Sequence, residues 1–208
     1  MGEALTADAL LTRHAAAWEA ATVHPFLAGV RDGSVPADSF DRWLAQDYRF
    51  AQALVRAESR IAAGAPSPTS ACSPGAWSPS LGSSAGLRMW RLGAAWPSTP
   101  RRIRRIGRTA NFLLALTYAA YPAQITAIWA LERTYLESWE GARPGAQPYR
   151  EFVERWTTDE FRSYVGDLQA AVDRQLEAPV GEQAREAEDA FVWVTHYERG
   201  FWDMAMSG

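Results

Sequence analysis

The stretch PADSFDRWLAQDYRFAQALVRAESRIAAG, Pro36 to Gly64, decides the fold class. Phe40, Trp43, Leu44, Phe50, Ala51 and Leu54 fall on one side at intervals of three and four, which is the period of an amphipathic helix. Pro36 opens the run and Gly64 closes it, giving a helix of up to about seven turns. Asp47 lies inside the apolar stripe. An ionised carboxylate among core residues is costly unless it is paired, hydrogen-bonded or held partly neutral.

The same pattern recurs on both sides. Residues 6–22 carry Leu10, Leu11, His14 and Trp18 at helical intervals, and HPFLAGVRDGSVPADS supplies the breakers before the next helix. In YPAQITAIWALERTYLESW, Ile125, Ile128, Trp129, Glu132 and Leu136 share a face, so a second carboxylate looks inward. In THYERGFWDMA, Thr195 to Ala205, Glu198 joins Phe191, Val194, Phe201 and Trp202. Further helices are expected over 147–156, 158–176 and 182–204, with Thr158 as an N-cap and Glu160 and Glu186 on solvated faces. No alternating strand pattern competes, so the expected class is all-α, with residues 1–208 as a single helical domain.

Between Gly64 and about Arg108 the patterning fails. From Glu58 to Glu132 there is no acid but there are eight arginines, and Ser, Pro and Gly alternate with Trp77, Trp90 and Trp96. Linkers rarely hold so many tryptophans, and loops this long are uncommon inside a domain. Translation of this stretch out of frame in a GC-rich gene accounts for the abrupt loss and return of helical patterning; all 21 basic residues are arginine, as such a gene favours. The alternative is a genuine insertion whose RRIRRIGR binds phosphate or nucleic acid.

Composition narrows the function. A net charge of -3 and a pI near 5.7 give no overall basic footprint for nucleic acid. No run approaches a membrane span, and the first residues lack the basic start and apolar centre of a signal peptide, so a cytoplasmic protein is expected. One cysteine, Cys72, makes neither an internal disulfide nor, alone, a zinc site. A cluster of helical carboxylates raises the possibility of a di-iron centre, but no Glu has a His three residues on, and no metal or other cofactor is expected.

Three helices thus offer Asp47, Glu132 and Glu198 to one interior, with Phe50, Trp129, Tyr135, Trp156 and Tyr197 available around them. Carboxylates beside aromatic rings suit a flat, nitrogen-rich, weakly basic ligand: the rings stack, and a carboxylate accepts hydrogen bonds from an amino group and a protonated ring nitrogen. A second carboxyl with a raised pKa can hand a proton to a leaving amine. The bland alternative is a set of core carboxylates tied to Tyr or Arg and aromatics that only pack.

HPFLAGVRDGSVPADSFDRWLAQDYRF and HYERGFWDMA resemble the TenA, or thiaminase II, proteins over residues 6–60 and about 109–206. The resemblance implies an all-helical, haem-oxygenase-like bundle without haem, a homotetramer, and hydrolysis of aminopyrimidines in thiamin salvage. It implies Asp47 as the substrate anchor and Glu198 as the acid/base. The family's cysteine nucleophile would stand two residues before Trp129, where this chain has Ala127. The context AIWALERTYLESW is therefore similar to the cysteine-lacking branch, in which Glu132 matches the compensating glutamate and the substrates are aminomethyl or formylaminomethyl pyrimidines. Family tyrosines that line the pocket appear as Phe50 and Trp156. The expected site is then Glu198 and Glu132 for proton transfer, with Asp47, Phe50, Trp129, Trp156 and Tyr197 binding the substrate. An inactive or binding-only relative, or a metal-dependent oxygenase on the same scaffold, remain the rivals.

Overall fold

The computed structural model describes residues 5–65, 107–177 and 181–207, and among these every regular element is a helix. In chain order they are α1 Ala7–Arg13, α2 Ala15–Thr22, α3 Pro25–Asp32, α4 Ala37–Gly64, α5 Gly107–Leu116, α6 Tyr121–Gly141, α7 Arg150–Arg155, α8 Asp159–Leu176 and α9 Gly181–Met206. The all-α expectation holds for them, and none is long and apolar enough to cross a membrane. The out-of-frame reading, Cys72 and the phosphate-binding alternative concern residues that lie almost wholly outside those described.

Local chemistry sets the helix ends. Thr6 and Thr158 cap α1 and α8 by accepting the amide hydrogens of Ala9 and Phe161. His24 does the same for α3 through its ring nitrogen, which accepts from Phe26 N, and Pro25 follows at the first helical position. Gly33 ends α3 at φ 87°, in the left-handed region that favours glycine. The chain then folds back so closely that a Cβ on Gly29 would lie 2.8 Å from Val35 N, which fixes where α4 begins.

Residues 6–22 form two helices rather than one. His14 sits at φ -110° and ψ 28°, and its Nε2 meets Glu188 of α9 at 2.8 Å. The break lets α1 dock on α8, where Asp173 accepts the Ala7 amide hydrogen. A comparable long-range cap serves α6, whose Ala120 amide hydrogen points at the Glu186 carboxylate of α9.

The long helices α4, α6, α8 and α9 enclose one core, to which the short helices add. Its centre is a run of aromatic rings. Trp43 of α4 meets Trp139 of α6 edge-on at 5.0 Å, Trp139 meets Trp202 of α9, and Trp202 stacks with Phe26 of α3. Each of these four is fully buried, and the Trp202 indole N–H is satisfied by the Ala21 carbonyl at 2.9 Å. Fully burying one large apolar side chain contributes about 1.5–3 kcal/mol, so this run anchors four helices, and on three of them, α4, α6 and α9, the inward carboxylates stand one or two turns from the buried tryptophan on the same face.

Candidate functional site

Asp47 is at the middle of α4, Glu132 at the middle of α6 and Glu198 in the last third of α9. Asp47 and Glu198 are buried, and Glu132, half-buried, is the most open to water of the three. Their charges act on one another. Burial pushes the Asp47 pKa up to about 7, although a hydrogen bond from Tyr135 and the Arg155 charge oppose the rise. Burial and the Asp47 charge bring Glu132 to about 7. Burial and the charges of Asp47 and Glu132 bring Glu198 to about 8. Three carboxyls thus exchange protons near neutrality for one reason: they share a desolvated space with too little positive charge.

Tyr135 organises that space. Its hydroxyl donates to Asp47 Oδ1, and it lies three residues after Glu132 on α6, one turn along the same face. Its ring is met by Phe50 at 6.4 Å, Trp156 at 5.1 Å and Trp202 at 6.0 Å. Phe50 in turn meets Phe201, and Trp156 meets Phe161 edge-on at 5.6 Å. Glu198 Oε2 is buried and has no hydrogen-bond partner among the described residues, so the site holds a polar atom in want of one.

The expected residues do not all lie together. Asp47, Glu132 and Glu198 converge, and Phe50 and Trp156 surround the tyrosine that links them. Trp129 is fully buried, and its described ring contacts are with Trp18 of α2 and Phe191 of α9. Tyr197 is half-buried against Phe112 of α5 and Trp193 of its own helix. Ala127, at the place of the family's cysteine, is buried.

Two groups escaped the sequence reading. Tyr135 was legible as an aromatic near the carboxylates but not as the donor to Asp47. Glu58 was not singled out, although it continues the Asp47 side of α4. Among the described residues no group of three or more His, Cys, Asp or Glu is placed to hold a metal ion. What the arrangement can do is bind a planar, hydrogen-bond-donating base and move protons beside it.

The TENA/THI-4/PQQC family model matches residues 11–71 and 101–208, passing over 72–100 inside the anomalous segment. The chain is 30% identical to a probable bifunctional TENA-E protein of Glycine max, over 94% of this chain and 90% of that one. It is 25% identical to the aminopyrimidine aminohydrolase of Halalkalibacterium halodurans, over 90% of this chain and 89% of that one. In fold it is similar to a TenA homologue from Pyrococcus furiosus, with a TM-score of 0.76 at 22% identity over 97% of this chain and 100% of the other. The bundle is thus the haem-oxygenase-like one expected from the two motifs, and the chain belongs to the TENA/THI-4/PQQC family.

Proposed function

We propose that the chain is a hydrolase of thiamin salvage, converting aminomethyl or formylaminomethyl pyrimidine to hydroxymethylpyrimidine. The observation that carries this reading is the convergence of three carboxyls from three helices on one aromatic-walled space, with pKa values drawn to about 7 and about 8 and one Glu198 oxygen unsatisfied. The similarity to an aminopyrimidine aminohydrolase supports the substrate class.

Each residue then has a role. Asp47, oriented by Tyr135, accepts in its ionised form hydrogen bonds from the 4-amino group and the neighbouring protonated ring nitrogen, whose positive charge favours that form. Phe50 and Trp156 flank the ring. Trp129, packed on Trp18 and Phe191, and Tyr197, packed on Phe112 and Trp193, act through the packing of the bundle. Glu198 is still protonated at neutral pH and gives its proton to the leaving nitrogen, while Glu132, partly ionised there, takes one from water. The water oxygen bonds to the exocyclic methylene carbon and the carbon–nitrogen bond breaks. Ammonia leaves from the free amine, or formamide from the formylated one. Glu132 thereby does the work left open by Ala127.

The proposal includes a single-domain chain that assembles in the cytoplasm as a homotetramer, which light scattering of the purified protein tests. The function is tested by ammonia release from 4-amino-5-aminomethyl-2-methylpyrimidine, with wild type beside Glu198→Gln. Turnover that the substitution abolishes supports the hydrolase. A folded wild type that binds the pyrimidine but releases no ammonia refutes it and favours a binding-only relative, the reading encouraged by the unmatched residues 72–100.

A further inference from the structure

The helix α9 has two faces. The inner one carries Glu198 and Trp202, both buried. The outer one is open to water and holds, at helical spacing, Arg185 and Asp189 toward its start, Val192, Trp193 and His196 at its middle, and Arg199 and Asp203 toward its end. Trp193 is 53% exposed and Val192 38%. The described ring contacts of Trp193 are with His196 and Tyr197 of its own helix, at 6.2 and 6.0 Å. Beside this stripe runs the segment from Phe112 to Ala120, since Phe112 meets Tyr197 at 4.9 Å and the Ala120 amide hydrogen points at Glu186. On that segment Leu114 and Tyr118 are exposed as well. Grouped apolar and aromatic side chains left in water mark a contact surface.

Exposure alone does not say what covers it. The charges on the same stripe do. Outward from Trp193 the order is Asp189 then Arg185 in one direction, and Arg199 then Asp203 in the other. Turning the helix end for end therefore exchanges the signs. A second α9 laid antiparallel across a two-fold axis between Val194 and Thr195 brings Arg199 of each copy opposite Asp189 of the other, Asp203 opposite Arg185, and Trp193 opposite His196. Each of these pairs occurs twice by symmetry. Laid parallel, the two stripes would set Arg199 on Arg199 and Asp189 on Asp189, so the pattern is complementary to itself in one orientation only. Within the chain Arg199 and Asp203 meet at only 3.9 Å, with side chains 62% and 59% exposed, which leaves both able to serve a second copy.

We propose that the outer face of α9, centred on Trp193 and His196, is a two-fold interface on which a second copy of this chain docks its own α9 antiparallel. The apolar middle supplies the burial and the charges at its two ends set the register. The inference shares with the proposed tetramer the premise that copies associate, and it is independent of the hydrolase reading.

Sedimentation of the full chain over about 1–100 μM tests it. Wild type should associate, and Trp193→Ser, a change at an exposed position, should halve the mass found for wild type. Arg199→Asp sets like charges opposite one another twice and should weaken the association by about tenfold or more. Adding Asp189→Arg to that variant exchanges the pair and should restore it. A wild type that stays monomeric overturns the inference, and so does a double variant no tighter than Arg199→Asp. A tetramer that Trp193→Ser and Arg199→Asp leave intact refutes this interface while the tetramer stands. A wild-type dimer that both variants split supports the interface and refutes the tetramer.

Discussion

Replacing Glu198 by Gln should strengthen the fold increasingly as the pH rises. Glu198 is 2% exposed, and its pKa stands at about 8 against 4.5 for an unperturbed glutamate. The folded chain therefore holds this proton more tightly than the unfolded chain does. Stability from the neutral group is fully present below the unfolded value, falls as the pH climbs through the interval, and is lost once the folded group ionises. At about 1.4 kcal/mol per pH unit, the cost across that interval is on the order of 5 kcal/mol. Whole domains are stable by about 5–15 kcal/mol, so the effect is large on that scale. Gln cannot ionise and escapes the loss, and its neutrality also spares Asp47 and Glu132 one repulsive neighbour. Urea unfolding of both proteins near pH 5 and near pH 8.5, at one protein concentration, measures it. The variant should gain less than about 1 kcal/mol at the lower pH and about 3–5 kcal/mol at the higher. Equal differences at the two pH values would refute the account of Glu198 as a desolvated acid.

Asp47→Asn should lower kcat/KM for the aminomethylpyrimidine by on the order of a hundredfold, the worth of a charge-assisted hydrogen bond of about 1.5–3 kcal/mol; a loss under about threefold excludes the anchoring role. Tyr135→Phe removes the donor to Asp47 and so raises the Asp47 pKa further, and the pH at which substrate binding is half-developed should move upward in a KM–pH profile. Trp129→Phe should lower unfolding stability by about 1–3 kcal/mol and leave KM within about threefold, because the ring packs on Trp18 and Phe191. A much larger rise in KM would return Trp129 to the substrate.

The helices were legible because their apolar residues keep a period and their ends carry local signals, as Pro36 and Gly64 do for α4. The break at His14 was not, since its partner Glu188 lies 174 residues away and leaves no local trace. Asp47 and Glu198 betrayed themselves as charges within apolar stripes. Trp129 was harder to place because α6 is buried continuously from Pro122 to Leu131, and a helix buried all round has no periodic signal to say which side faces the site. Tyr135 sits between these cases: its position one turn beyond Glu132 was visible, its bond to Asp47 was not.

All three carboxyls project from the interiors of long helices and none from a loop, which gives the protein a built-in gauge of its own assembly. Sliding one helix by a single residue moves its carboxyl by about 1.5 Å and turns it by roughly 100°, enough to empty the site while leaving the helical content unchanged. Circular dichroism would score such a molecule as intact. Titration of the buried carboxyls near neutral pH would not, so that signal, rather than helicity, is the quality control for any preparation, including one in which residues 72–100 have been rewritten.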